Sequence, residues 1–261
     1  MIDFLVKSGT WSISITTLIF TFVPETYFEK NIILNRILTL LCVFIIVIIF
    51  YWLFLAFRRS ITFKGHNYKI KVEYGDIFKM DNCKKVINFD ECYTISVGDA
   101  PGDIKPTSVC GQYLKMHPNL DVEKIIKKSK IKAENERSQY LGKKKYESGK
   151  LVPNGDDLLM AFAKLDADGI GKFFSHKEFL DCLSLLWEEI DKYYGQKDVC
   201  IPILGSGLTR INETLLTQQE ILDIIIGSYK LSSHKIKLPC KLHIVCKKSD
   251  GFSLNKIGEN I

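Results

Sequence analysis

The run ILTLLCVFIIVIIFYWLFLAF at residues 37–57 carries no charge, and it restricts the chain more than any other stretch. As an α-helix it would be about 31 Å long, enough to cross the hydrocarbon core of a bilayer. Buried in a soluble protein, a helix of that length would need apolar neighbours on every side. The reading is a membrane-spanning helix. Tyr51 and Trp52 near its end, followed by Arg58-Arg59, fit aromatic and basic anchoring at a cytoplasmic interface.

Residues 8–23, SGTWSISITTLIFTFV, are apolar but rich in Ser and Thr, and as a helix they would span only about 24 Å. Beginning at Phe4 lengthens the helix, with Lys7 reaching back toward the headgroups. A cleavable signal is the rival, but Val23-Pro24-Glu25 is no small-residue cleavage site and a lone lysine makes a poor basic leader. The expectation is a two-helix transmembrane hairpin at 1–59, with helices at about 8–23 and 37–57. Lys7 before it and Arg58, Arg59 and Lys64 after it put both termini on the cytoplasmic side. Ser12, Ser14, Thr16, Thr17 and Thr21 either offer a hydroxyl face to another helix or a pore, or bond back to their own helix.

Charge follows this apolar start. The net charge is +6, but many of the lysines fall within residues 124–150, where acids are interspersed, a pattern of solvated surface; no nucleic-acid partner is expected. The eight cysteines (Cys42, Cys83, Cys92, Cys110, Cys182, Cys200, Cys240 and Cys246) form no C-x-x-C and no Cys/His cluster with zinc spacing. They read as reduced thiols in a cytosolic domain, with no metal and no cofactor expected.

From residue 60 the pattern turns to strands. Ile61, Phe63, Tyr68, Ile70, Val72 and Tyr74 alternate around a turn at Gly65-His66-Asn67. Further strands are expected at 85–88, in a short piece at 92–97, in a hairpin at 150–152 and 158–165, and at 241–246. Residues 98–111 hold three glycines and two prolines, which reads as a shaped binding loop or a connector leading to a short helix at 112–116. Residues 119–150 form a Lys-rich insertion, helical in its first half, either a subunit interface or a solvated segment. Residues 175–194 form an amphipathic helix, with Ser175 and Glu178 as a capping box. Asp166-Ala167-Asp168-Gly169 resembles the start of a calcium loop, but Ile170 and Lys177 stand where ligands are needed, so it reads as a strand-to-helix turn.

The stretch VCIPILGSGLTRI runs an apolar strand into Gly205-Ser206-Gly207, with a helix from Thr217 onward. Strand, glycine loop and helix gather backbone N–H groups where a phosphate can sit, although the loop has neither the Rossmann nor the Walker spacing. A tight structural turn is the simpler reading of the loop alone. Strands alternating with helices predict an α/β domain whose ligand lies at the carboxyl ends of the strands.

Three features in order carry a resemblance: Val72 with Gly75-Asp76-Ile77, then Val86-Ile87-Asn88, then Ile201 through Gly207. Over roughly 69–247 the sequence resembles a macro domain. The resemblance implies a mixed, mostly parallel sheet flanked by helices, within a domain at 60–261. It implies an ADP-ribose derivative as ligand, cyclic and amino-acid-conjugated forms included. Asp76 would receive the adenine amino group and Ile77 would supply its N–H. Gly205, Ser206, Gly207, Leu208 and Thr209 would wrap the pyrophosphate, and Asn88 and Ser108 would complete the site.

Family members that remove ADP-ribose continue as Asn-Ala-Ala-Asn, whereas this chain has Asn88-Phe89-Asp90-Glu91 and a broken glycine run at Gly98-Asp99-Ala100-Pro101-Gly102. The expectation is a pocket that holds its ligand without hydrolysing it, with Glu91, Asp99 and Asp103 offered to a distal group. Two spanning helices before such a domain resemble the membrane effectors of Thoeris antiphage systems. That likeness implies an inner-membrane, multi-pass sensor. A TIR-domain enzyme would supply the signal, and ligand-induced homo-oligomers would act on membrane lipids. The alternatives are a membrane-anchored ADP-ribosyl hydrolase and an ADP-ribose-docking scaffold.

Overall fold

A computed structural model describes residues 2–22, 32–100, 102–173, 175–206, 210–211 and 216–258. The chain divides into two compact units, Met1–Arg58 and Arg59–Ile261.

The first unit is a pair of helices, α1 at Ile2–Phe22 and α2 at Ile32–Ala56. They run antiparallel. The Arg36 guanidinium lies 5.7 Å from the Phe20 ring at one end, while Ser8 and Trp11 share a groove with Phe50 and Phe54 at the other. The hydroxyl residues of α1 divide between two faces. Ser8, Ser12 and Thr16 recur every fourth residue and are buried, their small size letting the helices approach. Thr10, Ser14, Thr17 and Thr21 are exposed and donate to the carbonyl four residues back at 2.8–3.0 Å.

Among the described residues one helix is long and apolar enough to cross a membrane, Ile33–Ala56, with mean hydropathy 3.0. Of the expected spanning pair at 8–23 and 37–57, the second alone meets the length and hydropathy of a span among the described residues. The hydroxyl residues that let α1 pack and bond to itself also dilute its hydropathy.

Among the described residues the second unit holds a nine-stranded sheet in the order β1-β2-β9-β7-β3-β5-β6-β8, with β4 paired to β5. The strands are β1 Ser60–Lys64, β2 Lys69–Tyr74, β3 Cys83–Asp90, β4 Leu151–Asn154, β5 Asp157–Leu165, β6 Gly171–Phe173, β7 Asp198–Pro202, β8 Arg210–Ile211 and β9 Leu242–Cys246. Among the described residues five of the pairings are parallel and three antiparallel. The last strand in sequence thus lies inside the sheet, between β2 and β7, and its five residues are all buried. Such continuous apolar runs belong to strands covered on both faces.

Helices α5 (His176–Tyr193) and α6 (Gln218–Leu231) cover one face. Phe179, Leu183, Leu186, Trp187, Ile221, Ile225 and Tyr229 pack there on Val86, Met160, Ile201 and Ile244. Ser175 caps α5 as expected by accepting from the Glu178 N–H. The reciprocal capping box belongs to α6, between Thr217 and Glu220. Helices α3 (Val109–Met116) and α4 (Val122–Ser129) lie over Ile87, Phe89, Leu159 and Ala161 on the other face.

Three local expectations change. The helix of the Lys-rich insertion stops after eight residues because Lys130 turns left-handed at φ 58°. No strand forms at 92–97, where Val97 makes one isolated bridge to Ile104. The Asp166 turn closes the β5–β6 hairpin and leads to no helix. Its carboxylate accepts the Asp168 and Ile170 N–H groups and pairs with Lys172.

Candidate functional site

Strands β2, β9, β7, β3 and β5 run parallel, so their carboxyl ends share one edge, and the expected site residues collect along it. At the end of β2 the Gly75 N–H donates to the Cys246 carbonyl at 3.0 Å. Asp76 then caps a single 3-10 turn, Ile77–Lys79, accepting the Phe78 N–H on Oδ1 at 3.0 Å. The carboxylate is half-buried, and the cap fixes its direction. Ile77, 4% exposed, packs into a cluster with Cys83, Cys200 and Val245, which also touches Phe78 and Val109. The 3-10 turn is thereby pinned to the sheet beside the start of α3.

Ser108 is the N-cap of α3. Its hydroxyl donates to the Lys105 carbonyl at 2.7 Å and accepts the Gly111 N–H at 2.9 Å. Asp76, Ile77 and Ser108 therefore meet around one apolar cluster, with the Ser108 oxygen serving the helix.

Asn88 and Gly205 lie by the opposite face. Strands β3 and β7 pair only through Cys83–Asp198, Lys84–Val199 and Lys85–Cys200. Beyond Lys85 they part, β3 continuing along β5 to Asp90 and β7 along β9 to Pro202. Asn88 lies past this divergence and shares the strand face of Val86. Its Oδ1 is buried without a hydrogen-bond partner among the described residues. Such an orphan costs about 1–3 kcal/mol until a donor reaches it.

Past the end of β7 the chain turns at Gly205, whose φ of +86° a side chain would strain. Ser206 is exposed, and its hydroxyl donates to the Ile203 carbonyl at 2.8 Å. Gly207, Leu208 and Thr209 lie outside the described residues.

The three acids offered to a distal group have partners within the protein. Glu91, 3% exposed, accepts the Ser138 hydroxyl and the Leu165 N–H. Asp103 accepts the Ser96 hydroxyl at 2.7 Å, and Asp99 pairs with Lys105 at 3.3 Å. Glu91 thus ties the Lys-rich insertion to the end of β3, and its carbonyl also accepts the Tyr146 N–H. Tyr140 of the insertion is fitted against Gly102 and Gly169. A Cβ at Gly169, where φ is +79°, would stand 2.9 Å from the Tyr140 ring and 2.7 Å from the Gly102 nitrogen.

Beside this anchor is a polar cavity of about 200 Å³ lined by Glu91, Glu136, Lys145, Lys164 and Glu178. Its charges pair internally, Lys145 with Glu136 at 3.2 Å and Lys164 with Glu178 at 2.9 Å.

Sequence reasoning missed Asp90. It is 5% exposed and accepts the Cys92 and Thr94 N–H groups, while Oδ2 is buried without a hydrogen bond among the described residues. Burial pushes its carboxyl above the ordinary range against the pull of those hydrogen bonds. Its place two residues after Asn88 was the available signal. All eight cysteines are free, and the Cys200 thiol lies 2.7 Å from the Cys83 sulfur. Among the described residues no His, Cys, Asp or Glu cluster has a metal-binding arrangement.

The chain is similar to several known proteins. The family model described as "Thoeris protein ThsA, Macro domain" matches residues 70–247. Thoeris protein ThsA of Bacillus amyloliquefaciens (strain Y2) is 29% identical over 258 residues, covering 94% of this chain and 86% of that protein. Among solved structures, a mutant of the Oceanobacillus iheyensis macrodomain superposes with TM-score 0.43 at 9% identity, over 74% of this chain and 91% of that one. The same macrodomain with ADP gives 0.41 at 8% identity, over 73% and 89%.

Proposed function

The chain belongs to the Thoeris ThsA macro-domain family, and from that premise we propose that it is a membrane-anchored sensor of an ADP-ribose-derived signal in antiphage defence. The single observation that carries the reading is the orphaned Asn88 Oδ1 where β3 and β7 part, opposite the Gly205 turn. A buried acceptor beside a glycine turn at the carboxyl edge of a parallel sheet is prepared for a polar ligand. In this reading the Asp76 carboxylate takes the adenine amino group, and backbone groups around Gly205 and Ser206, extending to Gly207, Leu208 and Thr209, take the phosphates.

Holding the ligand is favoured over cleaving it. The family's second asparagine is replaced by Glu91, whose carboxylate is engaged by Ser138 and Leu165.

The response is a population shift. A ligand that binds a clustered state more tightly than the free one drives self-association, and clustering gathers the helical units in the bilayer of the bacterial inner membrane. The exposed hydroxyls of α1, from Thr10 to Thr21, then meet in neighbouring copies and admit water or ions. A TIR-domain enzyme supplies the signal, the macro unit faces the cytoplasm, and α1 crosses the membrane alongside α2.

The test is calorimetric titration of the full chain in micelles with ADP-ribose and with the products of a TIR enzyme. Binding weakened at least about tenfold by Asp76→Ala, with the ligand recovered intact, is the expected result. Release of ADP-ribose from a modified substrate, abolished by Asn88→Ala, would replace the sensor by a hydrolase. No binding would sink both.

A further inference from the structure

Lysines are distributed unevenly between two electrostatic states. Over much of the second unit they are paired: Lys71 with Glu73, Lys84 and Lys197 with Asp156, Lys164 with Glu178, Lys172 with Asp166, Lys241 with Asp198. Along α4 and just beyond it, Lys124, Lys127, Lys128, Lys130 and Lys132 are all exposed. None of the five is in an ion pair with a described residue.

The acids nearest in sequence do not neutralise them. Asp121 is spent as the N-cap, accepting the Lys124 N–H at 2.9 Å, and Glu123 is a single charge in the first turn. Glu134 and Glu136 are drawn off to Lys145.

The helix that carries this charge is firmly seated. Val122 and Ile126 are buried against Val152 and Leu159, with Ile125 and Ile131 packed alongside. Residues 124, 127 and 128 share the opposite, solvent side of the helix by their spacing. The left-handed Lys130 ends the helix and keeps two further lysines beside its last turn. A rigid, unpaired, like-charged surface repels itself, which an anionic surface would relieve.

We infer that this basic face of α4 docks on anionic phospholipid headgroups. The inference rests on the membrane anchoring proposed above, because a chain joined to a spanning helix through only Phe57, Arg58 and Arg59 meets headgroups at high effective concentration. Affinity too weak to recruit a free protein is then enough to dock a tethered one. The lipid class follows from the charge: phosphate-bearing headgroups with net negative charge, not zwitterionic ones.

Lysine footprinting on the full chain tests this. The protein is reconstituted in nanodiscs of phosphatidylcholine alone or of phosphatidylcholine with phosphatidylglycerol, acetylated with an amine-reactive ester, and read by mass spectrometry. Acetylation of Lys124, Lys127 and Lys128 is expected to slow about fivefold in the anionic discs, with exposed Lys247 and Lys248 as internal reference. High salt should remove the difference. The triple variant Lys124→Gln, Lys127→Gln, Lys128→Gln should lose protection at Lys130 and Lys132.

Equal acetylation in both discs, with the chain incorporated, would overturn the docking and leave the anchoring intact. A chain that does not enter the discs would overturn both. Protection by an added oligonucleotide, equal in the two lipids, would reassign the surface to nucleic acid.

Discussion

The two faces of the sheet are built on different physics. Under α5 and α6 lies the larger apolar cluster, with Trp187 against Tyr229 at 4.9 Å and Phe162 against Phe173 at 5.2 Å, and the two helices also bury Glu189, Gln219 and Asp223. Toward α3, α4 and the insertion the apolar cluster is smaller, and it adjoins buried Asp90, Glu91 and Ser138. A face of hydrocarbon is stabilised by volume and contact. A face with buried polar groups depends on every bond being made. Stability should therefore concentrate on the first face and conditional behaviour on the second.

The largest expected effect probes the first face. Trp187→Ala removes a side chain 1% exposed and should lower unfolding free energy by about 3–5 kcal/mol, measured by denaturant titration of the protein in micelles. A loss under about 1 kcal/mol, the range of surface changes, would erase the contrast between the faces.

Ser138→Ala probes the second face. Removing the hydroxyl from buried Glu91 should cost about 1–3 kcal/mol. Amide hydrogen exchange should show the cost locally, as faster exchange in residues 131–146 and little change in α5 or α6. Uniform acceleration across both faces would mean that the insertion belongs to the common core.

The smallest effect is one of slope. Because burial raises the Asp90 carboxyl in the folded state, the fold binds that proton more tightly than the unfolded chain does. The stabilisation this gives is present below the ordinary carboxylate range and is lost as pH rises through the raised value. Unfolding free energy should therefore fall with pH across that window, and Asp90→Asn should flatten the fall. Asparagine keeps an acceptor for the Cys92 and Thr94 N–H groups. An unchanged slope would assign the pH dependence to another group.

Local chemistry was readable in the sequence and distant partnership was not. The β1–β2 hairpin, the Ser175 cap and the turn at Gly205 are set by residues within a few positions of one another, so alternation, capping and glycine spacing announced them. Glu91 looked like a ligand for a distal group because its partner Ser138 lies 47 residues away. Ser108 had a loop's composition around it, but its hydroxyl went to a helix cap. The end of α4 was missed since nothing in KKSKIK marks Lys130 as left-handed. Strand β3 proved longer than residues 85–88 because pairing with β5 carries it to Asp90, and Asp90 in a strand has no alternating pattern to betray it.

The short ladder between β3 and β7 makes the sheet two slabs joined by a three-pair seam. One slab, β1-β2-β9-β7, continues directly from the helix that can cross a membrane; the other, β3-β5-β6-β8, carries the Lys-rich insertion through Glu91. Hydrogen-bonded ladders are what make neighbouring strands twist together, so twist is less constrained along this line than along the longer ladders on either side of it. A molecule lodged across the opening would act as a rivet, converting a compliant plate into a stiff one.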